Sequence, residues 1–214
     1  MLNKISTLLF IVFFLSAQIS CSKADNKIPL PTVLNKKTDV KTGIEFAKAG
    51  NYEKARDLWQ KAAGDGDVEA QVLLGMLYAD GKSVNQSFQE AFKWFYQSAK
   101  QGYPLAQFYV ASCYNAGKGV EKNDSEAFHW YRLSAEQGNA EAQYNVGAAY
   151  ANGVGIARDD IQAYAWIYNS SLNGFEFANK YLQEIENRMT SSNLNKAKEL
   201  AQSLQSKPNK AKNR

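Results

Sequence analysis

The side chains that could support nucleophilic, acid–base or metal chemistry are few and far apart in this chain. Its 214 residues include one histidine, His129, and two cysteines, Cys21 and Cys113. A zinc site needs several His or Cys ligands at fixed spacings, and a nucleophilic site needs a base beside its nucleophile. Since no such set surrounds His129, the sequence predicts no catalytic residue, no metal site and no cofactor.

Short glycine-rich loops occur three times and resemble phosphate-binding loops at first sight. They read Gly81-Lys82-Ser83-Val84, Gly117-Lys118-Gly119-Val120 and Gly153-Val154-Gly155-Ile156. A phosphate-binding loop follows a β-strand and opens a helix. These loops lie between two helical patterns, which indicates turns that end helices. The sequence therefore favours a protein that is not an enzyme and takes no small-molecule substrate.

These loops belong to an internal repeat with a step of 36 residues. The step relates four glycines and three tryptophans, at Gly66, Gly102, Gly138, Gly174, Trp94, Trp130 and Trp166. A fixed period of this length indicates a solenoid, in which each unit buries its apolar face against its neighbours. The expected fold class is all-α, built from antiparallel helix pairs.

Each full repeat is predicted to contain two helices. Helix A covers about residues 67–79, 103–115 and 139–151, and helix B covers about 88–100, 124–136 and 160–172. Ser87, Asn123 and Asp159 each stand three residues before Glu or Gln, the pattern of a capping box at the start of helix B. Tyr103 cannot cap its helix, but Pro104 suits the first helical position.

The predicted domain order places three full repeats between atypical terminal units, as a solenoid requires. The segments are a signal peptide at 1–20, a flexible tether at 21–39, a degenerate helical hairpin at 40–65, repeats at 66–101, 102–137 and 138–173, C-terminal capping helices at 174–206 and a disordered basic tail at 207–214.

The N-terminal segment has the features of a secretory signal. Lys4 precedes an apolar run from Ile5 to Leu15, which is too short for a comfortable membrane span. The run ends shortly before Cys21, as in a bacterial lipoprotein signal, whose cysteine becomes the lipidated first residue. This resemblance implies export to the periplasm and anchoring to the outer membrane, with the lipid on Cys21 as the only membrane contact.

One residue of the signal departs from the lipoprotein pattern. Gln18 stands three residues before Cys21, where that pattern has an aliphatic side chain. Cleavage near Ala17 or Ser20, which would give a soluble periplasmic protein, is the alternative. If Cys21 carries lipid, Cys113 has no partner for a disulfide and is expected to act as a small buried apolar residue.

The charge balance gives no indication of a nucleic-acid partner. Lysine and arginine total 25 against 21 acidic residues, for a formal net charge of +4. Four of the basic residues fall in the last eight positions, the predicted solvated tail. The sequence therefore gives no reason to expect a nucleic-acid partner, and composition alone does not identify the partner.

Positions that differ between repeats are the candidates for binding that partner. On helix A they recur at steps of four and three, which places them on one helical face. The predicted partner-binding residues are Glu69, Leu73, Met76, Leu105, Tyr109, Ser112, Glu141 and Asn145. In the alternative interpretation, Leu73 and Tyr109 pack against the neighbouring repeat and have no partner role.

The repeat motif resembles that of the Sel-one-like repeat (SLR) family, a branch of the tetratricopeptide-like α/α solenoids. Its best copy consists of Ala142, Gln143, Tyr144, Val146, Gly147, Tyr150, Gly153, Gly155, Ala163, Trp166 and Gly174. The resemblance covers residues 40–206 and implies a right-handed α/α superhelical solenoid. It also implies a non-enzymatic protein-binding scaffold or adaptor of the bacterial envelope, of the exported lipoprotein type, with a concave binding face lined by the A helices.

The resemblance leaves two other functions open. Some exported members resemble periplasmic immunity proteins that neutralise type VI secreted lipase toxins. A cysteine-rich branch is linked to β-lactam binding and hydrolysis, but that branch carries a disulfide in each repeat, and the corresponding cysteines are absent here. The sequence therefore disfavours the β-lactam-hydrolysing function.

Overall fold

The fold is an array of helices with no strand among the residues described. The structure, a computed structural model, describes residues 36–206, and side chains over 38–205. The helices are α1 (Lys36–Lys48), α2 (Tyr52–Gly64), α3 (Val68–Asp80), α4 (Phe88–Lys100), α5 (Pro104–Ala116), α6 (Asp124–Ala135), α7 (Ala140–Asn152), α8 (Asp160–Leu172), α9 (Phe177–Glu186) and α10 (Ser191–Ser206). The all-α fold class is confirmed. The predicted signal peptide, Cys21 and the basic tail lie outside the described residues.

From α1 to α9 each helix packs on the helix before it and the helix after it. Helices α3, α5 and α7 are the predicted A helices, and α4, α6 and α8 are the predicted B helices, with boundaries within one residue of those expected. Such a stack has no central core, and its stability comes from interfaces between neighbours.

The B helices begin at the predicted caps. The side chains of Ser87, Asn123 and Asp159 each accept a hydrogen bond from the backbone N–H three residues further on. These bonds satisfy donors that the first turn of a helix leaves unpaired. At α5, Tyr103 provides no side-chain cap and Pro104 occupies the first turn, as predicted.

The glutamines that recur at the 36-residue step form a buried ladder between repeats. In the first full repeat, Gln71 Nε2 donates to the carbonyl of Ala63, and Gln71 Oε1 accepts from Gln101 Nε2 at 3.0 Å. Gln107 and Gln143 repeat this pattern with the next two units. Because an unpaired buried amide costs about 1–3 kcal/mol, these positions are fixed by the fold.

The first helix begins earlier than the sequence indicates. Residues 36–39, assigned to the tether at 21–39, form the first turn of α1, and Asp39 and Val40 are buried. The Trp59 side chain explains this extension, because its Nε1 donates to the carbonyl of Val40 at 3.2 Å. Its ring also lies where a Cβ on Gly43 would stand, so α1 is held closely against α2.

The two capping helices follow different paths. Helix α9 packs on α8 in the place of a further A helix, with Ala178 fully buried. Helix α10 packs on the outer side of α8, where Asn169 Nδ2 donates to the carbonyl of Ala201 at 3.1 Å. Ala165 on α8 is buried, whereas its repeat equivalent on α6, His129, is exposed.

Ser83 gives a test of the loop geometry. It replaces the second glycine of the other loops and has a φ of 59°, and its Oγ donates to the carbonyl of Tyr52 at 3.1 Å. Ser83→Gly is expected to be more stable than Ser83→Ala by about 1 kcal/mol, because both variants lose the hydroxyl hydrogen bond and only alanine keeps the left-handed strain. Urea denaturation of both variants measures the difference, and equal stabilities would contradict the strain at this position.

Candidate functional site

The eight predicted partner-binding residues lie on the A helices, at the surface or partly beneath it. Glu69 is exposed, and the other seven side chains are half-buried. Leu73 packs against the core formed by α1, α2 and α3, whereas Met76 and Leu105 pack against the core of α4 and α5. Each apolar side chain therefore contributes to packing between units and also leaves part of its surface accessible.

Tyr109 connects neighbouring units within this surface. Its hydroxyl lies 3.9 Å from the Sδ of Met76 on α3, and its ring stacks on Phe95 of α4 with the centroids 4.7 Å apart. Burial raises the pKa of Tyr109 to about 12, with a smaller contribution from the carboxylate of Glu141. The ring is thus held in one place by its neighbours, and only part of it remains for contact with a partner.

Further hydrogen bonds restrain the predicted residues Ser112 on α5 and Asn145 on α7. The Ser112 Oγ and the Tyr131 hydroxyl are 3.1 Å apart, and Asn145 Nδ2 donates to the backbone carbonyl of Glu141 at 2.8 Å. Burial raises the pKa of the Glu141 carboxyl. Among the described side chains, none donates a hydrogen bond to that carboxylate or pairs with it as a cation.

The repeat positions of these residues continue onto α9, which lies in the segment predicted as C-terminal capping helices. The 36-residue step takes Glu141 to Phe177 and Asn145 to Tyr181, and it takes Ala148 to Glu184. Phe177 is 55% exposed, Tyr181 is half-buried, and Glu184 is exposed. The step that relates Ala142 to Ala178 was the signal that could have found these three residues.

We call these eleven residues the A-helix strip. It consists of the eight predicted positions on α3, α5 and α7 together with Phe177, Tyr181 and Glu184 on α9. Tyr181 is linked to α7 through Tyr144, whose ring centroid is 5.8 Å away. The positions of the strip therefore extend over four consecutive units.

The groups capable of covalent or metal chemistry lie apart from one another. Cys113 is half-buried, and burial raises the pKa of its thiol to about 11, so the thiolate is scarce near neutral pH. His129 is exposed beside Trp130. Within the described residues no group of three or more His, Cys, Asp or Glu side chains is placed to hold a metal ion. None of the helices described there is both long and apolar enough to cross a bilayer.

Two solved structures resemble this chain over much of its length. A Sel1 repeat protein from Oxalobacter formigenes is 33% identical, with a TM-score of 0.65, over 67% of this chain and 59% of that one. A protective antigen present in uropathogenic Escherichia coli strains, displaying an SLR fold, is 26% identical with a TM-score of 0.57 over 79% of this chain and 45% of that one. This chain therefore spans about half the length of each.

Sequence comparison with curated proteins gives a shorter match. An F-box protein of Arabidopsis thaliana is 38% identical over 64 residues, which are 30% of this chain and 18% of that protein. Such a match covers fewer than two repeats and says nothing of the remainder of either chain.

A family profile covers most of the helical region. The Sel1 repeat matches residues 42–67, 68–103, 104–139 and 140–175. Its last three copies begin two residues after the predicted repeats, at the first residues of α3, α5 and α7. Sel1 repeat proteins are in general protein-interaction scaffolds and are typically not enzymes. Because the four copies account for more than half of the residues, this chain belongs to the Sel1 repeat family.

Proposed function

We propose that this chain is a protein-binding scaffold or adaptor of the bacterial cell envelope and that its partner docks on the A-helix strip. The observation that supports this most directly is the pair of contacts that Tyr109 makes with Met76 and Phe95. They hold the variable side chain of Tyr109 between α3 and α4, so that its accessible part is presented on rigid helices. The strictly repeated residues, such as Gln71, serve instead the interfaces between units.

The composition of the A-helix strip suits such a role. Tyrosine and phenylalanine bury a large area on binding and lose little conformational freedom, so they often dominate interface energetics. Tyr109 and Tyr181 are half-buried before any partner arrives, and Phe177 is exposed. Side chains that packing already restrains lower the entropic cost of association.

The partner surface is tested with two double variants. The strip variant carries Asn145→Arg and Phe177→Ala, while the control carries Gln97→Arg on α4 and Val154→Ala in the loop after α7. Both pairs change a polar side chain to arginine and shorten an exposed apolar one, and Val154 is 42% exposed. Partners captured by the wild type are identified by mass spectrometry, purified and titrated by calorimetry.

The strip variant is expected to bind the purified partner at least tenfold more weakly, a loss of about 1.4 kcal/mol. The control is expected to bind like the wild type. Equal affinities for all three proteins would refute docking on the strip. A secreted lipase as the captured partner would indicate the immunity role, whereas an envelope protein would support the adaptor role.

Export and lipid anchoring form part of the same proposal and depend on Cys21, which lies outside the described residues. The sequence pattern before Cys21 supports them, with Gln18 as the departure. Radiolabelled palmitate is expected to label the wild type, and Cys21→Ala is expected to abolish the label and the sensitivity of processing to globomycin. Processing that globomycin does not affect would instead favour cleavage near Ala17 or Ser20.

A further inference from the structure

The A helices carry charge of one sign only. Helices α3, α5 and α7 contain neither lysine nor arginine, and the charged members of the A-helix strip are Glu69, Glu141 and Glu184. The basic residues of the full repeats are on the B helices and in loops, for example Lys93 on α4 and Arg132 on α6. The A-helix strip is therefore acidic, although the whole chain has a formal net charge of +4.

Helix α9 adds one basic residue near the end of the stack. Lys180 is the repeat equivalent of Tyr144, whose ring packs against Phe175 and Tyr181 of the next unit. Among the described residues no further A helix follows α9, and Lys180 is exposed. It lies outside the strip positions.

Among the described residues, no lysine or arginine forms an ion pair with the strip carboxylates of Glu69, Glu141 and Glu184. Some surface acids elsewhere are paired, such as Glu90 with Lys93, and others are not. Glu141 is also half-buried. A carboxylate that is partly removed from water and lacks a counter-charge gains more from an arriving cation than a fully solvated one does.

The tyrosines on and beside the strip are affected by the same negative charge. Glu69 and Asp67 contribute, after burial, to the raised pKa of Tyr103. Glu141 contributes in the same way to the pKa of Tyr109. For Tyr144, Glu184 adds to the larger effects of burial and Tyr181. In each case the charged neighbour is a carboxylate, so the negative potential extends along the A helices.

Aromatic rings lie between the carboxylates along the strip. Tyr109 lies in the unit between those of Glu69 and Glu141, and Phe177 and Tyr181 precede Glu184 on α9. Lysine and arginine are attracted to the faces of such rings as well as to carboxylates. This chain makes such contacts elsewhere, since Lys100 Nζ lies 4.9 Å from the centroid of the Tyr96 ring.

We propose that the A-helix strip takes a lysine- and arginine-bearing segment of the partner protein, whose cationic side chains alternate between the strip carboxylates and the aromatic rings. This inference rests on the proposed function and specifies the chemistry of the partner. Neighbouring packed helices are about 8–10 Å apart, so four A-type helices span roughly 25–30 Å. An extended segment of about nine residues covers that distance.

The test uses two fluorescein-labelled peptides of about ten residues, a length matched to the strip. In one peptide arginine alternates with leucine, and in the other glutamate alternates with leucine. Fluorescence anisotropy with the wild-type protein is expected to show binding of the arginine peptide with a Kd below about 0.1 mM and no saturable binding of the glutamate peptide. The affinity is also expected to fall as salt is raised from about 0.05 to about 0.5 M.

A charge-matched pair of triple variants decides where the arginine peptide binds. The strip variant carries Glu69→Gln, Glu141→Gln and Glu184→Gln, and the control carries the same change at Glu53, Glu126 and Glu199. All three control positions are exposed, and Glu53 lies in the first turn of its helix as Glu69 does. The strip carboxylates accept no described hydrogen bond, so Gln should leave the fold intact, which circular dichroism verifies.

The strip variant is expected to bind the arginine peptide about tenfold more weakly, while the control binds within about twofold of the wild type. Equal losses in both variants, equal binding of the two peptides, or no binding of either would overturn the inference. Failure of this inference and failure of the proposed function give different experimental results. If Asn145→Arg with Phe177→Ala abolishes partner binding and the triple Gln change does not, the strip is the docking site and the partner is not recognised through basic residues.

Discussion

Gly155→Ala is expected to lower the free energy of unfolding by about 2–5 kcal/mol, although it adds a single methyl group. Gly155 has a φ of +71°, where alanine is strained by about 1–2 kcal/mol. A Cβ at this position would also stand 2.1 Å from the carbonyl oxygen of Asp124, the first residue of α6. Because that oxygen belongs to the backbone of the preceding unit, the two units would have to separate to accommodate the methyl group.

Gly138→Ala is the matched control for this prediction. Gly138 has a φ of +91°, but a Cβ there would have no neighbour within 4 Å. Gly138→Ala is therefore expected to lower the free energy of unfolding through backbone strain alone, by about 1–2 kcal/mol. Urea denaturation followed by circular dichroism measures both variants. A loss for Gly155→Ala no larger than that for Gly138→Ala would show that close contact between repeats at this loop has no energetic consequence.

Trp166→Ala is expected to destabilise the protein by about 3–5 kcal/mol. The Trp166 side chain is 5% exposed and belongs to the core that joins α5, α6, α7 and α8. Removing it leaves a cavity beneath α10, whose Leu204 packs against the same core. In a stack whose units contact only their neighbours, a defect at α8 weakens both the third full repeat and the capping helices.

Trp94→Ala removes the same side chain at the equivalent position of the first full repeat. Trp94 is half-buried, so its loss is expected to cost less than the loss of Trp166, by at least about 1 kcal/mol. Thermal and urea denaturation of the two variants give the comparison. Equal costs would indicate that α10 adds no burial energy at α8. The sequence pattern alone assigns the three tryptophans Trp94, Trp130 and Trp166 the same structural role.

The features that could be predicted from the sequence are those that each unit determines locally. The 36-residue step, the caps at Ser87, Asn123 and Asp159, and the left-handed glycines of the loops all depend on contacts within a unit or between adjacent units. Helix boundaries were consequently predicted to within one residue for the six helices of the full repeats. Repetition helps here, because one pattern is observed three times.

The hydrogen bonds that join the two helices of one unit were partly hidden in the sequence. Ser98, Ser134 and Ser170 are fully buried and donate to backbone carbonyls at the start of the A helix of the same unit. They recur at the same 36-residue step as the glycines. A serine is usually solvated, however, so its repetition alone does not distinguish a buried bond from a surface residue.

The course of α10 depends on contacts that no periodicity describes. It packs on α8 through Asn169 and Ala201, which are far apart in the sequence. The outer face of α8 differs from its equivalents, with Ala165 where the other units have Lys93 and His129. The replacement of these polar side chains by alanine indicates that another segment packs on this face of α8. It does not identify which segment that is.

The sequence by itself determined the repeat, the helix pairs, the loop glycines and the absence of a recognisable catalytic motif, because each follows from local spacing. Only the tertiary structure decided how Leu73 and Tyr109 divide between packing and surface, and how far Phe177 and Tyr181 on α9 are exposed. The physical reason is that burial depends on which neighbouring unit covers a side chain. The 36-residue period shows that each unit has neighbouring units. The side chains of those neighbours determine which surface remains exposed to a partner.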